Sequence, residues 1–415
     1  MEGILIISLI ISVGFSHLFF IQGIGYAFQP TEIIFLMMLL SGLSSGICKK
    51  GNYKWGRFHW PFILLIFIAM INALVYFSNQ VITENLGLIY LSILSLVTFY
   101  FVMRKGEKME KYLAVAAKVA FYTLNGLVIT GLLWYFISGS TRLVLYYPDY
   151  PYFGDVVRVK GFNYSPNILI SVYAFFATLK TSFDKYSKVD FGLTLLVALL
   201  SLTKEGLLLI VLATSLYLWK NYNIKKYTKP ALILAGVFYL IFSQFVFSIN
   251  REESDFSSSF AVNTASGFSV GNVMIYPTVY YYLFKSGFLL FSENILFGVG
   301  HGHFIDQLNY LTLEGRYPAT MPKVTPMDSY FGVAAQLGVL YLVYLYLQWK
   351  NMKEALFKLE SQYFPLSLLG LYFILESLSN GSIHFRHYYI YFGLCIALYY
   401  RAKTHHGPQV ENKEA

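Results

Sequence analysis

Hydrophobic runs of helical length divide most of this chain. They cover 4–21, 31–47, 61–78, 86–103, 112–138, 166–181, 189–202, 207–219, 230–249, 327–349, 364–379 and 387–400. A bilayer-spanning helix uses about 20 apolar residues, so the runs predict an all-α polytopic membrane protein with about 12 transmembrane helices. The seventh and eighth runs are short and lie four residues apart. They form either a hairpin of short helices or a re-entrant pair.

The longest interruption is residues 250–326, which we expect to be a large loop. Its first part, 251–271, is polar and predicts irregular structure. The run 273–291 is apolar and aromatic, and predicts an amphipathic or interfacial helix. We therefore expect a single membrane domain, 1–415, whose large loop 250–326 contains short helices.

Composition supports this class. Of the 415 residues, 56% are hydrophobic and only 13% are charged, where a soluble domain carries about 25% charged residues. A soluble enzyme is therefore excluded, and no room is left for a large soluble domain. The two cysteines, Cys48 and Cys395, are too few for a disulfide framework.

The net charge of +9 is distributed unevenly over the loops. One alternate set of loops and termini holds 21 of the 31 Lys and Arg residues, and the opposite set holds nine. The positive-inside rule then predicts cytoplasmic termini and an external 250–326 loop, without implying nucleic acid. The nine external residues are Arg142, Arg158, Lys160, Lys204, Arg251, Lys285, Arg316, Lys323 and Arg386.

External basic residues suggest an anionic substrate. No ATP is available outside the cytoplasmic membrane, so chemistry there needs a donor that is already activated, such as a lipid-linked pyrophosphate. Arginine binds phosphate oxygens through paired hydrogen bonds. The alternative is contact with lipid headgroups. The candidates for pyrophosphate binding are Arg158, Lys204, Arg251, Arg316 and Arg386.

Two residues are the main candidates for a general base. Asp328 opens an apolar run at the end of the large loop, where partial burial could raise its pKa, although an aspartate there is also a common helix N-cap. His301 lies between Gly300 and Gly302 in FGVGHGHF, where glycines allow close approach to a ligand, or it is structural. Other external candidates are Glu205, His303, His384 and Asp155.

No metal site or cofactor is predicted. The sequence has no D-x-D or helical H-x-x-x-H pattern, and the acidic pair Glu253 and Asp255 lies in a polar loop. The tyrosine-rich loop LVLYYPDYPYF fits either stacking on sugar rings or the aromatic belt of a membrane interface.

Three segments together resemble the superfamily of Wzy-type O-antigen polymerases and O-antigen ligases. RVKGFNYSPNILIS is similar to its R-x-x-G pattern followed by P-N, through Arg158, Gly161, Pro166 and Asn167. SLTKEG resembles a Ser-Arg turn, with Lys204 at the arginine position. FGVGHGHF and PMDSYFGVAAQLGVLY resemble a G-x-G element followed by H-N-S-Y and E-L-G-x-x-G.

The resemblance covers about 155 to 345 and implies a GT-C-like glycosyltransferase of the bacterial inner membrane with a periplasmic site. It would polymerise undecaprenyl-pyrophosphate-linked glycans, with a chain-length regulator protein as partner. Arg158, Lys204, Arg316 and Arg386 would hold pyrophosphate, with Arg158 also stabilising the leaving group. Asp328 or His301 would take the acceptor proton, and Asn167, Gly300 and Tyr330 would contact substrate.

One departure separates the branches of the superfamily. Met327 stands where a ligase has its histidine, which favours a polymerase and makes Asp328 the first choice for the base. An O-antigen ligase and a polysaccharide flippase or transporter are the alternatives. A transporter built from repeats is expected to have two similar halves and charges at the bilayer midplane. The two halves of this chain differ, and its charges are predicted to lie on one face.

Overall fold

The computed structural model describes residues 2–15, 30–44, 59–105, 108–150, 154–163, 165–249, 266–358, 363–381 and 384–405. Several residues named above lie outside this part of the chain, namely Cys48, Arg251, Glu253 and Asp255, as do Tyr152 and Phe153 of the LVLYYPDYPYF loop. The tyrosine-rich loop is therefore described only in part.

The described residues are mostly helical, with 15 α-helices. The helices are α1 Glu2–Ser12, α2 Pro30–Ser44, α3 Trp60–Val75, α4 Asn79–Lys105, α5 Lys108–Ser138, α6 Pro166–Phe183, α7 Lys188–Ser201, α8 Lys204–Tyr222, α9 Thr228–Gln244, α10 Val279–Glu293, α11 Phe304–Leu313, α12 Phe331–Leu337, α13 Val339–Lys358, α14 Phe364–Glu376 and α15 Arg386–His405.

Every predicted apolar run contains a helix, but the structure does not support twelve spans. Two described helices are long and apolar enough to cross a membrane, Asn79–Arg104 and Lys108–Ser138. Five apolar helices have only 10–17 residues, and a rise of 1.5 Å per residue leaves them short of a hydrocarbon layer about 30 Å thick. Backbone breaks explain other losses: Gly338, with φ 78°, divides the run 327–349 into α12 and α13.

Five short strands correct the all-α prediction. β1 Val144–Tyr150 and β2 Gly154–Val159 form an antiparallel hairpin in which Leu145 faces Arg158. β3 Phe245–Ile249, β4 Phe268–Val270 and β5 Val273–Pro277 form an antiparallel sheet in the order β3-β5-β4. β-branched and aromatic residues dominate these segments and favour extended backbone. Within 250–326, the described residues thus form two strands as well as helices α10 and α11.

Helix α6 is the centre of the packing. All residues from 169 to 181 are buried, and the helix packs against α5, α8 and α14. It begins sharply, because the hydroxyl of Ser165 accepts a hydrogen bond from Ile168 N and Pro166 occupies the first turn. This start fixes Asn167 in the first turn of the helix and Ser171 one turn later.

Helices α4 and α15 approach each other closely at a glycine. A Cβ atom added at Gly393 in α15 would overlap the carbonyl oxygen of Ser95 in α4. Replacing Gly393 therefore requires the two helices to separate.

We expect Gly393→Ala to destabilise the protein by about 1–3 kcal/mol, the usual cost of overpacking a core. Gly192→Ala in α7 is the control, because nothing lies within 4 Å of its added Cβ, and alanine favours the helix. The measurement is the apparent melting temperature in detergent at one scan rate. Equal melting temperatures for the two variants would contradict the close packing of α4 and α15.

Candidate functional site

A buried carboxylate, Glu376, ends α14 and organises the surrounding polar groups. The Ser171 hydroxyl donates to Glu376 Oε2 at 2.8 Å, and Asn380 Nδ2 donates to Oε1 at 3.2 Å. The same hydroxyl lies 2.7 Å from His387 Nε2. Since a serine hydroxyl has one proton, His387 donates through Nε2–H in this arrangement. Through Ser171, helix α6 is thereby hydrogen-bonded to the end of α14 and to the start of α15.

A second chain of hydrogen bonds runs from β2 to α9. Arg158 Nε donates to Ser201 O at 2.9 Å, and its Nη2 donates to Asn167 Oδ1 at 3.4 Å. Asn167 Nδ2 then donates to Glu205 Oε1 at 3.2 Å. The hydroxyl of Tyr239 lies 3.3 Å from the same Glu205 oxygen and 3.4 Å from the carbonyl of Glu376. Tyr239 therefore joins the two groups of buried polar residues.

A tight turn between α7 and α8 presents Lys204 and Glu205. Leu202 adopts a left-handed conformation with φ 45°, and the hydroxyl of Thr203 accepts from Gly206 N at 3.0 Å. The two short helices form a hairpin, and the first two residues of α8 point into the interior. Lys204 and Glu205 are consequently placed by local backbone geometry.

Both charged side chains of this turn have an unsatisfied buried atom. Lys204 Nζ and Glu205 Oε2 have no hydrogen-bond partner among the described residues. The ammonium lies over the Tyr280 ring at 3.2 Å from its centroid and 5.5 Å from that of Tyr239. Cation–π contacts offset part of the desolvation, but a buried charge without hydrogen bonds is costly. The turn is suited to a ligand that brings both an anionic oxygen and a hydroxyl.

Asp328 is buried just before α12, and its carboxylate accepts hydrogen bonds from backbone amides at the start of that helix. Oδ1 accepts hydrogen bonds from Tyr330 N at 3.1 Å and Gly332 N at 2.9 Å, so the side chain caps the first turn, although the N-cap position itself is Tyr330 and not Asp328. Burial raises the pKa of Asp328 to about 6, against the opposing effect of the Gly332 and Tyr330 amides. A capping carboxylate with this pKa can also exchange a proton near neutral pH.

The segment containing Asp328 is attached to the α14–α15 turn. Ser329 N donates to Ser377 O at 2.9 Å, and its hydroxyl donates to Asn380 O at 3.2 Å. The hydroxyl of Tyr330 donates to Ile374 O at 3.1 Å. Asn380 therefore connects this segment with Glu376, so Asp328 and Tyr330 belong to the same polar region as Ser171.

The FGVGHGHF loop packs between the end of α3 and the turn before α15. Gly300 and Gly302 have φ values of 92° and 101°, and a Cβ at Gly300 would lie 3.0 Å from Cγ of Tyr76. His301 N donates to Asn72 Oδ1 at 2.9 Å. The His301 ring is parallel to that of His384, with centroids 5.5 Å apart. Burial, and then the neighbouring His384, hold the pKa of His301 well below its usual range, so the imidazole is neutral at pH 7.

The two remaining cationic candidates are neutralised elsewhere. Arg316 lies at the surface, paired with Glu293 and with Glu314 at 3.0 Å. Arg386 begins α15, and its Nε donates to Glu32 Oε1 at 2.7 Å. Among the predicted pyrophosphate ligands, the structure brings together Arg158 and Lys204 and pairs the other two with carboxylates.

Several polar residues of this region were not predicted from the sequence. Glu376, Asn380 and His387 lie in or beside apolar runs, and no short spacing relates them to Ser171 or Tyr239. The available signal was a charged residue inside the apolar sequence LYFILESLSN. Glu84 was also missed, although it forms a group with His301 and His384 whose ligand atoms all lie within 4.8 Å of one another. Two imidazoles and a carboxylate are able to hold a metal ion.

An apolar cleft opens beside the same region. It is open to the outside, has a volume of about 70 Å³, and has Ser329 and Tyr330 among its lining residues. Aromatic and apolar side chains of α13, α14 and α15 form its walls, among them Tyr341, Tyr344, Trp349, Phe373 and Phe392. Such a cleft is suited to a hydrocarbon chain.

No protein-family model matches this chain, and comparison with curated proteins also finds no match. The resemblance to the Wzy-type polymerases and ligases therefore rests on the three sequence segments alone.

We expect Ser171→Ala to destabilise the protein by about 1–3 kcal/mol, because Glu376 loses a buried donor. Ser182→Ala is the control, since its hydroxyl bonds only Thr178 O within the same helix, and a cost within about 0.5 kcal/mol is expected. Apparent melting temperatures in detergent provide the comparison. Similar losses for both variants would show that Ser171 has no special role at Glu376.

Proposed function

We propose that this chain is a glycosyltransferase of the bacterial inner membrane that polymerises oligosaccharide repeat units linked to undecaprenyl pyrophosphate. The product is an O-antigen or a related surface polysaccharide formed at the periplasmic face. The observation that carries the proposal is the Lys204–Glu205 turn, where the buried Lys204 ammonium and the Glu205 oxygen Oε2 lack hydrogen-bond partners among the described residues. It lies beside the oriented guanidinium of Arg158.

A second buried lysine shows why this lack of partners is informative. Lys180 Nζ, at the far end of α6, lies 2.9 Å from Asp190 Oδ2. That carboxylate also accepts from Ser187 N and from the hydroxyls of Ser187 and Tyr122. At this position, where the ion pair has only a structural role, the fold therefore supplies hydrogen-bond partners for the buried lysine and its carboxylate. The incomplete arrangement at Lys204 supports a site that a substrate completes.

Pyrophosphate fits the charges of this turn. Lys204 would contact the phosphoryl oxygens as a point charge, and Arg158, oriented by Ser201 and Asn167, would contribute a planar cation. Negative charge grows on the pyrophosphate as its bond to the sugar breaks, and fixed cations stabilise that charge in the transition state. Glu205 would accept a hydrogen bond from a sugar hydroxyl through Oε2.

The proposed glycosyl transfer needs only these side chains and the two lipid-linked substrates. A hydroxyl oxygen of the acceptor repeat unit attacks the anomeric carbon of the donor, and the bond from that carbon to the pyrophosphate oxygen breaks. The electron pair leaves with undecaprenyl pyrophosphate. Asp328 takes the proton of the attacking hydroxyl, with neutral His301 as the alternative. Tyr330, Asn167 and the backbone at Gly300 would position the sugars.

The apolar cleft supports a lipid-linked substrate. Ser329 and Tyr330, which follow Asp328 in the chain, are among its lining residues, so part of an isoprenoid chain lying in it would place the headgroup near the polar region. The distribution of Lys and Arg supports cytoplasmic termini and an external site. A chain-length regulator as partner is proposed from the sequence resemblance only.

Lys204→Met should abolish polymer, because the methionine keeps the volume but removes the buried charge. Lys204→Arg should retain polymer, since a guanidinium binds phosphate at least as well. Lys285→Met, at an exposed position of α10, is the control and should leave polymer unchanged. Each variant is expressed in a strain that lacks the gene, and the glycans are resolved by size with protein levels matched.

The same strain tests the proposed reaction. Single repeat units in place of a ladder are expected in the deletion. Long polymer that stays on undecaprenyl pyrophosphate would instead indicate a ligase, and lipid-linked units retained on the cytoplasmic side would indicate a flippase. Full-length polymer from Lys204→Met would overturn the pyrophosphate assignment.

Asp328→Asn separates the two roles of that residue. Asparagine caps a helix as well as aspartate does, so folding should be preserved, but the amide cannot take a proton and polymerisation should fall by about 100-fold or more. For the native protein, the pKa near 6 predicts activity that declines as the pH falls below about 6, because the carboxylate becomes protonated. In vitro polymerisation with purified lipid-linked units measures both, and unchanged activity in the asparagine variant would leave Asp328 with a structural role only.

A further inference from the structure

Three potential metal ligands converge from distant parts of the chain. Glu84 lies in α4, His301 in the FGVGHGHF loop and His384 in the turn before α15. Their ligand atoms all lie within 4.8 Å of one another. No short sequence spacing connects them, so the sequence predicted no metal site.

The buried imidazole of this cluster is incomplete. His301 is 2% exposed, and its Nδ1 has no hydrogen-bond partner among the described residues. The backbone fixes the ring from both sides, since His301 N donates to Asn72 Oδ1 and Gly302 N donates to Gln336 Oε1, each at 2.9 Å. A buried ring nitrogen without a partner is costly. Its fixed position, opposite a second imidazole and a carboxylate, is what a metal ligand requires.

We propose that Glu84, His301 and His384 bind a Zn²⁺ ion. Two histidines and one glutamate form a donor set that zinc favours, with a fourth position left for water. Mg²⁺ and Ca²⁺ prefer oxygen ligands only. Bond lengths near 2.1 Å place tetrahedral ligand atoms about 3.4 Å apart. Rotation of the exposed His384 and half-buried Glu84 side chains brings the donors from their present separation to this distance.

The ion would join three structural units. It would tie α4 and the FGVGHGHF loop to the turn that also carries Asn380 and follows Glu376. Zinc binding should therefore stabilise the folded protein, by a free energy that grows with the logarithm of the ratio of zinc concentration to its dissociation constant. The site does not depend on the proposed glycosyl transfer, because metal content and stability are measured without substrate.

The experiment uses the full chain, purified in detergent with an affinity tag that contains no histidine. His405 and His406 are replaced by alanine in the background protein, so that this neighbouring pair does not contribute zinc ligands. Zinc is titrated, bound metal is counted by mass spectrometry after desalting, and the melting temperature is followed. Glu84→Gln and His384→Asn change side chains that are not deeply buried, and both are expected to fold. His303→Gln is the control, because His303 lies in the same loop but bonds Ser78 through Nε2.

We expect one zinc per chain and a rise in melting temperature with zinc for the background protein and His303→Gln. Glu84→Gln and His384→Asn should bind zinc at least about tenfold more weakly, as expected when one of three protein ligands is lost. X-ray absorption of the bound zinc should show two imidazoles. Absence of stoichiometric zinc in the background protein, or equal affinity in all variants, would overturn the proposal.

Discussion

A carboxylate inside an apolar helical protein is tolerated only where donors reach both of its oxygens. Glu376 meets this condition through Ser171 of α6 and Asn380 of the following turn. The rest of the polar region depends on this interaction, because the same turn supplies the acceptor for the Ser329 hydroxyl and carries His384, and the last turn of α14 supplies the acceptor for Tyr330. Helices that are distant in sequence are thus held in register by the hydrogen bonds of one buried acid.

The helical elements were predictable because their signal is local. Each apolar run contains a helix, whereas the number of spans depended on where helices break, and a left-handed Leu202 or a glycine at 338 has little effect on hydropathy. The strands were missed because short extended segments beside aromatic loops resemble interfacial sequence. Arg158, Asn167 and Lys204 were found from local motifs, and the structure links Arg158 to Asn167 and places Lys204 beside Glu205.

Long-range partners could not be read from the sequence in the same way. Ser171 and Glu376 are separated by 205 positions, and Asn72 and His301 by 229, so no spacing rule relates them. The ion pairs of Glu32 with Arg386 and of Glu293 with Arg316 could not be predicted from the sequence either. These pairs neutralise both arginines. A count of cations on the loops predicted to be external therefore overstated the charge available to a ligand.

This selective neutralisation makes the polar region specific. If all the external cations were available, the face would attract any anion or anionic lipid. Carboxylates instead neutralise Arg316 and Arg386, and the Lys204 ammonium lies over an aromatic ring with no hydrogen-bond partner in the described part of the chain. Its effect is strong because the surroundings are desolvated, where electrostatic interactions are weakly screened. A ligand gains from this charge only by entering the interior with an anionic group.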